Sequence, residues 1–132
     1  MDTLQELRSY IETHWDDENP HSLAIPSFDL NGKNLPESNT ITMASDTGQD
    51  TGDTIVSTGE TILEGVIIEL ICESRDYAMK SRIHLFSLLK KFVARDDNTV
   101  AYGEPNSYDV FPNDLGFYHV QIVFSLRSIT TY

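Results

Sequence analysis

The stretch from Thr61 to Arg95 constrains the fold more than any other part of the chain. Its first half alternates as a strand does and carries apolar side chains on both faces, as in TILEGVIIELICE. Two apolar faces are typical of a central strand that is covered on each side, by a helix or by a neighbouring subunit. The second half begins at Ser74, a good N-cap, and has apolar residues at helical spacing. It predicts one long amphipathic helix.

The patterns on either side predict one further helix and several strands. Residues from Thr3 to Trp15 place their apolar side chains on one helical face. Asn39 to Ser45 and Tyr118 to Thr131 alternate as strands, and Tyr108 to Phe111 is long enough for a short one. Pro26 lies inside another extended run and limits it to an edge strand or a connector.

Together these elements predict an α+β fold in a single domain spanning residues 1–132. Its sheet is mainly antiparallel, with an N-terminal helix and one long helix, at about residues 75–95, packed on it. A chain of 132 residues that is 39% hydrophobic can build one compact core. Glycines among Asp and Thr predict a flexible acidic loop at about residues 45–60.

The charge balance narrows the classes of partner. The chain has 21 acidic and 9 basic residues, for a net charge of -12. This argues against nucleic acid as the main partner, because phosphate contacts need clustered Lys and Arg. Such acidity resembles proteins of salt-loving organisms, since at about 1 M salt the Debye length is roughly 3 Å and self-repulsion is screened. An acidic protein of an ordinary organism is the alternative.

Cysteine and hydropathy patterns bear on the compartment. Cys72 is the only cysteine, which excludes an intrachain disulfide and a cysteine-based metal cluster. The chain does not begin with a basic region followed by an apolar run, so we predict no secretory signal. The longest apolar run, Val66 to Cys72, is too short to cross a bilayer. We expect a protein of the cell interior, or of a particle assembled there, with no membrane partner.

A repeated Asp-Thr-Gly, beginning at Asp46 and at Asp50, is the strongest catalytic signal. Aspartic proteases use this tripeptide so that two carboxylates share one proton. The preceding strand is short and made of small residues, however, and the glycine-rich flap of that family is missing. With Asp53, the same residues could bind calcium, but they do not fit an EF-hand loop. We predict no enzyme activity, no metal and no cofactor, and treat these three aspartates as a candidate contact loop.

The predicted long helix carries the most evident cationic surface of the chain. Lys80, His84, Lys91 and Arg95 are expected to line the helix face opposite its apolar side. Two interpretations remain: a solvated helix face, or electrostatic docking on the acidic surface of an identical neighbour or another partner. These four residues form the candidate assembly interface.

The order of the elements resembles that of tail terminator (tail completion) proteins of tailed double-stranded DNA viruses. Two runs carry the resemblance: Thr58-Gly59-Glu60 leading into ILEGVIIELICESRDYAMKSRIHLFSLLKKFV, and the closing GFYHVQIVFSL. The resemblance implies a subunit of a hexameric ring that ends the tail tube and joins it to the head connector or a stopper protein. DNA would pass through without specific binding, and the polar loop would contact the tube or the neck.

The resemblance thus predicts a virion structural protein at the head-tail neck, assembled in the host cytoplasm. Together with the acidic composition it would indicate a virus of salt-loving archaea. Two alternatives belong to other classes. One is a small acidic binding or adaptor module of a halophilic cell. The other, more remote, is a dimeric aspartic protease that uses the Asp-Thr-Gly motif.

Overall fold

A computed structural model describes residues 1–28, 39–45 and 53–132 of the chain. Two helices and seven strands lie in this range: α1 (Thr3–His14), β1 (Ser27–Phe28), β2 (Thr40–Ser45), β3 (Asp53–Val56), β4 (Gly59–Cys72), α2 (Arg75–Lys90), β5 (Val93–Arg95), β6 (Thr99–Pro112) and β7 (Tyr118–Thr131). The predicted α+β composition agrees with this arrangement.

All seven strands belong to one sheet with the order β1-β2-β4-β7-β6-β5. Strand β3 pairs with the first residues of β4, beside the place where β2 pairs with its later residues. The pairings are antiparallel except that of β1 with β2, which is parallel. The sheet is therefore mixed, with mostly antiparallel strands.

The core lies on one face of this sheet, here called the inner face. Alternate side chains of β4 and β7 are fully buried there, as Val66, Ile68 and Phe124 illustrate. Residues from both helices, such as Leu7 of α1 and Leu85 of α2, belong to the same buried cluster. The opposite, outer face of β4 is only partly buried. Both faces of β4 are apolar as predicted, yet the described helices cover only one of them.

Helix α2 begins where the sequence predicts and ends five residues earlier than expected. The Ser74 hydroxyl accepts a hydrogen bond from the Tyr77 N–H at 3.1 Å, which caps the first turn. After Lys90 the chain leaves the helix and forms strand β5. The Asp96 carboxylate accepts hydrogen bonds from two backbone N–H groups of the next turn, which fixes the hairpin to β6. The predicted end at Arg95 was wrong because this turn competes with the last helical turn.

Two further boundaries differ from the prediction. Strand β6 is 14 residues long, whereas only Tyr108 to Phe111 was predicted, because Gly103 and a bulge next to Pro105 obscure its alternation. The later part of the flexible loop predicted at about 45–60 is strand and turn, since β3 and β4 form a hairpin around residues 57–58. Residues 46–52 lie outside the described residues.

Candidate assembly surface

The four residues of the predicted cationic interface do not share one surface. Lys80 forms an ion pair with Asp76 at 2.9 Å on helix α2. Lys91 follows the helix and forms an ion pair with Glu18 at 3.0 Å. Arg95 lies on strand β5, where it is exposed and forms no ion pair with any described residue. The assembly role of these cations stays a proposal, and Arg95 forms no ion pair within the described residues, unlike Lys80 and Lys91.

The prediction that His84 lies on the exposed helix face was wrong. Its side chain is 4% exposed, and its Nε2 lies 2.5 Å from the Trp15 carbonyl oxygen. Because a carbonyl only accepts, Nε2 carries the proton and donates. The Trp15 indole N–H in turn donates to the Leu23 carbonyl at 2.9 Å, and the indole meets the His84 ring edge-on at 4.7 Å. His84 therefore ties α2 to the end of α1 inside the fold.

The predicted contact loop is described only at its end. Asp46 and Asp50 lie outside the described residues, and Asp53 is the first residue of β3. The β3–β4 hairpin exposes Ile55 by 70% and Val56 by 54%, which is unusual for large apolar side chains next to each other on an edge strand. The hairpin therefore exposes apolar side chains. It belongs to the stretch of residues 34–74, which contains no Lys or Arg.

A concave site of about 810 Å³ lies at the opposite edge of the sheet, around strands β5 and β6. Its apolar wall includes Val93 and Tyr102, and its cationic groups are Lys90 and Arg95. A second cavity of about 410 Å³ shares Tyr102 with it and contains Arg127. Among the described residues these three cations form no ion pair, although the Arg127 guanidinium lies 3.4 Å from the Tyr102 hydroxyl. We call the two cavities together the cationic pocket.

Little in the sequence pattern predicts the cationic pocket. Lys90 was part of the predicted helix, and Arg127 was one residue of an alternating strand. Strand register brings Arg127 near strand β5, because Val93 pairs with Tyr102 and Tyr102 pairs with Arg127. Cross-strand partners point to the same face, so the side chains of Val93, Tyr102 and Arg127 all lie on the outer face. A hairpin predicted at Asp96-Asp97-Asn98 would have been the signal that brings Lys90 and Arg95 to this edge.

The outer face also carries a hydrogen-bonded polar cluster, beside the turn between β6 and β7. The Gln121 amide donates to one Glu69 carboxylate oxygen at 2.6 Å, and His119 Nδ1 lies 3.3 Å from the other. Asn113 Nδ2 lies 2.8 Å from His119 Nε2, and the Phe111 ring stacks on the imidazole at 5.0 Å. The cluster links β4, β7 and the turn between β6 and β7.

Hydrogen bonds fix the proton positions in this cluster. The Asn113 side-chain oxygen accepts from the backbone N–H groups of Leu115 and Phe117, so its NH₂ group faces His119. His119 Nε2 then accepts, and the protonated Nδ1 donates to Glu69. An imidazole with contacts at both ring nitrogens, and no hydroxyl or thiol among its described hydrogen-bond partners, is suited to holding strands together. No nucleophile in the described hydrogen-bond network completes an acid–base site here.

Comparisons with known proteins relate this fold to a chain of a solved virion particle. No protein-family model matches the sequence, and no curated protein matches it. A chain from the virion of a native gene transfer agent particle is similar in structure, with a TM-score of 0.69. The likeness covers 93% of this chain and 91% of that chain at 11% sequence identity. At this identity the likeness shows a shared fold.

The remaining cysteine and histidine side chains of the described chain have neighbours that suit a structural role. Cys72 is fully buried on the inner face, and burial raises the pKa of its thiol to about 12, which keeps it protonated and unreactive. His14 lies 2.7 Å from Asp17 at the surface. Nowhere in residues 1–28, 39–45 and 53–132 do three His, Cys, Asp or Glu side chains converge as metal ligands would. None of the described helices has both the length and the apolar character needed to cross a membrane.

Proposed function

We propose that this chain is a structural subunit of a tailed, phage-like virion. In this proposal it forms a homo-oligomeric ring, a hexamer by family resemblance, at the neck between head and tail. The ring ends the tail tube and joins it to the head connector or a stopper protein. The acid excess favours a particle that assembles in salt-rich host cytoplasm, such as that of salt-loving archaea.

One observation carries the proposal: the fold is shared across nearly the whole of both chains with a component of a gene transfer agent virion. A match over a short motif could arise from any common supersecondary unit, but this likeness covers 93% of this chain and 91% of the other. The sequence resemblance to tail terminators, carried by the β4–α2 unit and by β7, supports the finer assignment to the neck.

The surface described above suits a part that assembles. The sheet has helices on one face, and its outer face presents half-buried aliphatic side chains such as Ile67 and Val123, which pair across β4 and β7. Exposed apolar edges at β3 and β5 add surface that a solitary domain does not need. A net charge of -12 also suits a ring whose lumen passes DNA without binding it.

The mass of the purified protein tests this proposal. We expect one closed oligomer, six copies by resemblance, when native mass spectrometry and light scattering are run across protein concentration and from low to molar salt. Electron microscopy of the same sample should show rings with an open centre. Rings that add to the ends of isolated tail tubes and stop their growth would support the neck role directly.

Two results would count against the proposal in different ways. A protein that stays monomeric at every concentration and salt would contradict ring formation and favour the acidic adaptor alternative. Rings that form but never bind tube ends would support a virion part at another position, because assembly would be present without the tube contact.

A further inference from the structure

The two exposed edges of the sheet lie at the same end of the molecule. One row of cross-strand partners crosses the whole sheet there, from Thr54 of β3 through Thr61, Ile129 and Val100 to Arg95 of β5. Neighbouring strands are about 4.8 Å apart, so the path along the sheet from β3 to β5 is roughly 19 Å long. In the described part of the chain β3 pairs with β4 and β5 pairs with β6, so the hairpin is not paired with the pocket edge of its own chain.

The hairpin and the cationic pocket are complementary in charge. The hairpin formed by β3 and the start of β4, residues 53–64, contains three acidic residues and no Lys or Arg. The cationic pocket contributes Lys90, Arg95 and Arg127 and one acid, Glu104. In a chain with 21 acids and 9 bases, such a concentration of cations without ion pairs in the described part is the exception.

Apolar surface is available on both sides as well. The hairpin presents Ile55 and Val56, exposed by 70% and 54%. The pocket presents Val93, exposed by 48%, beside the ring of Tyr102. Contacts between them would remove apolar side chains of two copies from water while the charges at the rim set the orientation.

We propose that the β3–β4 hairpin of one copy docks in the cationic pocket of the next copy. The inference rests on the proposed ring and names the surfaces that build it. Hairpin and pocket are different patches of one chain, so the contact is heterologous, and its repetition makes a closed ring when the rotation closes. Of the four cations predicted from sequence, Arg95 alone takes part, joined by Lys90 and Arg127.

Mixing two defective variants tests the head-to-tail geometry. Ile55→Ser with Val56→Ser removes the apolar side chains of the hairpin, and Lys90→Glu with Arg95→Glu reverses the pocket. These positions are exposed, so both variants should keep the wild-type circular dichroism and thermal midpoint. Each variant alone should remain monomeric at concentrations where wild type assembles. Their equimolar mixture should give dimers and nothing larger, because it contains one intact hairpin and one intact pocket per pair.

A matched control tests whether the position of the reversed charges, and not the net charge of the chain, governs association. Arg75→Glu, compared with Arg95→Glu alone, makes the same charge change at the first residue of helix α2, outside the pocket. It should assemble as wild type does. If this control loses assembly as completely as Arg95→Glu does, net charge and not the pocket governs association, and the inference is overturned.

Cross-linking gives a readout that does not depend on weakening the contact. Val56→Cys with Val93→Cys, in a Cys72→Ala background, places thiols on the two edges of one chain. A disulfide needs Cα atoms within about 7 Å, and three strands separate β3 from β5 in the sheet of one copy, so we expect no link within a copy. Oxidation should give a ladder of linked copies that stops at the ring size. Moving the second thiol to Ile83, exposed on helix α2, should give no ladder.

The outcomes distinguish this inference from the function it rests on. Wild-type rings with unaffected hairpin and pocket variants, or rings without a ladder, would overturn the inference and leave the virion role intact. Wild type that forms no oligomer under any condition would overturn both.

Discussion

The burial of His84 makes a quantitative prediction about stability. His84→Ala leaves the Trp15 carbonyl inside the fold without its donor, and an unsatisfied buried acceptor costs about 1–3 kcal/mol. Loss of the edge-on contact with the indole ring removes about 0.5–1.5 kcal/mol more. We therefore expect His84→Ala to lower the free energy of unfolding by about 2–4 kcal/mol.

Urea denaturation at one fixed protein concentration measures this loss. With an m-value of about 2 kcal/mol/M, the midpoint should fall by roughly 1–2 M. His84→Gln, which keeps an N–H donor, should lose less than His84→Ala. His21→Ala removes an exposed histidine and should change the free energy by no more than about 0.5 kcal/mol. Equal and small effects at His84 and His21 would refute the burial of His84 and return it to the helix surface.

Three further perturbations test the sheet, the packing of α2 and the buried thiol. Gly103→Ala should cost about 1–3 kcal/mol because its Cβ would collide with a carbonyl and a phenyl ring of β7. Gly116→Ala meets no neighbouring atom and should cost only the left-handed backbone strain at φ 86°, about 1–2 kcal/mol; a larger loss at Gly116 than at Gly103 would contradict this packing. The Arg82 guanidinium lies 4.1 Å from the centre of the Tyr108 ring, so a double-mutant cycle with Arg82→Met and Tyr108→Leu should give a coupling of about 0.5–2 kcal/mol, and zero coupling would exclude the contact. Burial raises the pKa of Cys72 from 9.0 to about 12, so the unfolded thiol ionises first and stability should fall as pH rises from 9 towards 12, by at most about 1.4 kcal/mol per pH unit. The Cys72→Ala variant should lose stability less steeply over that interval, and identical pH profiles would contradict the assignment.

Periodicity was sufficient to predict the elements that have one strongly apolar face. Helix α1, strand β7 and the junction at Ser74 follow from spacing and capping, because burial of one face repeats in the sequence. The end of α2 did not follow, since Val93 to Arg95 continues the helical spacing as well as it fits a strand. Only pairing with β6, which the sequence hides behind Gly103 and Pro105, favours the strand.

Site residues were harder to predict because charge on a helix does not show which side chains are exposed. Lys80 and His84 are one turn apart, yet one pairs with Asp76 at the surface and the other is buried against Trp15. Histidine is compatible with a buried or an exposed helix face, because its ring packs against apolar groups and a ring nitrogen can donate a hydrogen bond. The position of α1 across α2 decides the matter, and that position depends on tertiary packing rather than on local pattern.

The proposed contact also explains how so acidic a chain can assemble with itself. Two copies at -12 each repel over long distances, and at about 1 M salt this repulsion is screened beyond roughly 3 Å. Ion pairs between a docked hairpin and the cationic pocket of the next copy would act at shorter range and be partly shielded from solvent, so salt would weaken them less. Burial of Ile55 and Val56 does not depend on charge at all. Salt should therefore strengthen association through a docked hairpin, whereas a contact made only of exposed ion pairs would weaken with salt.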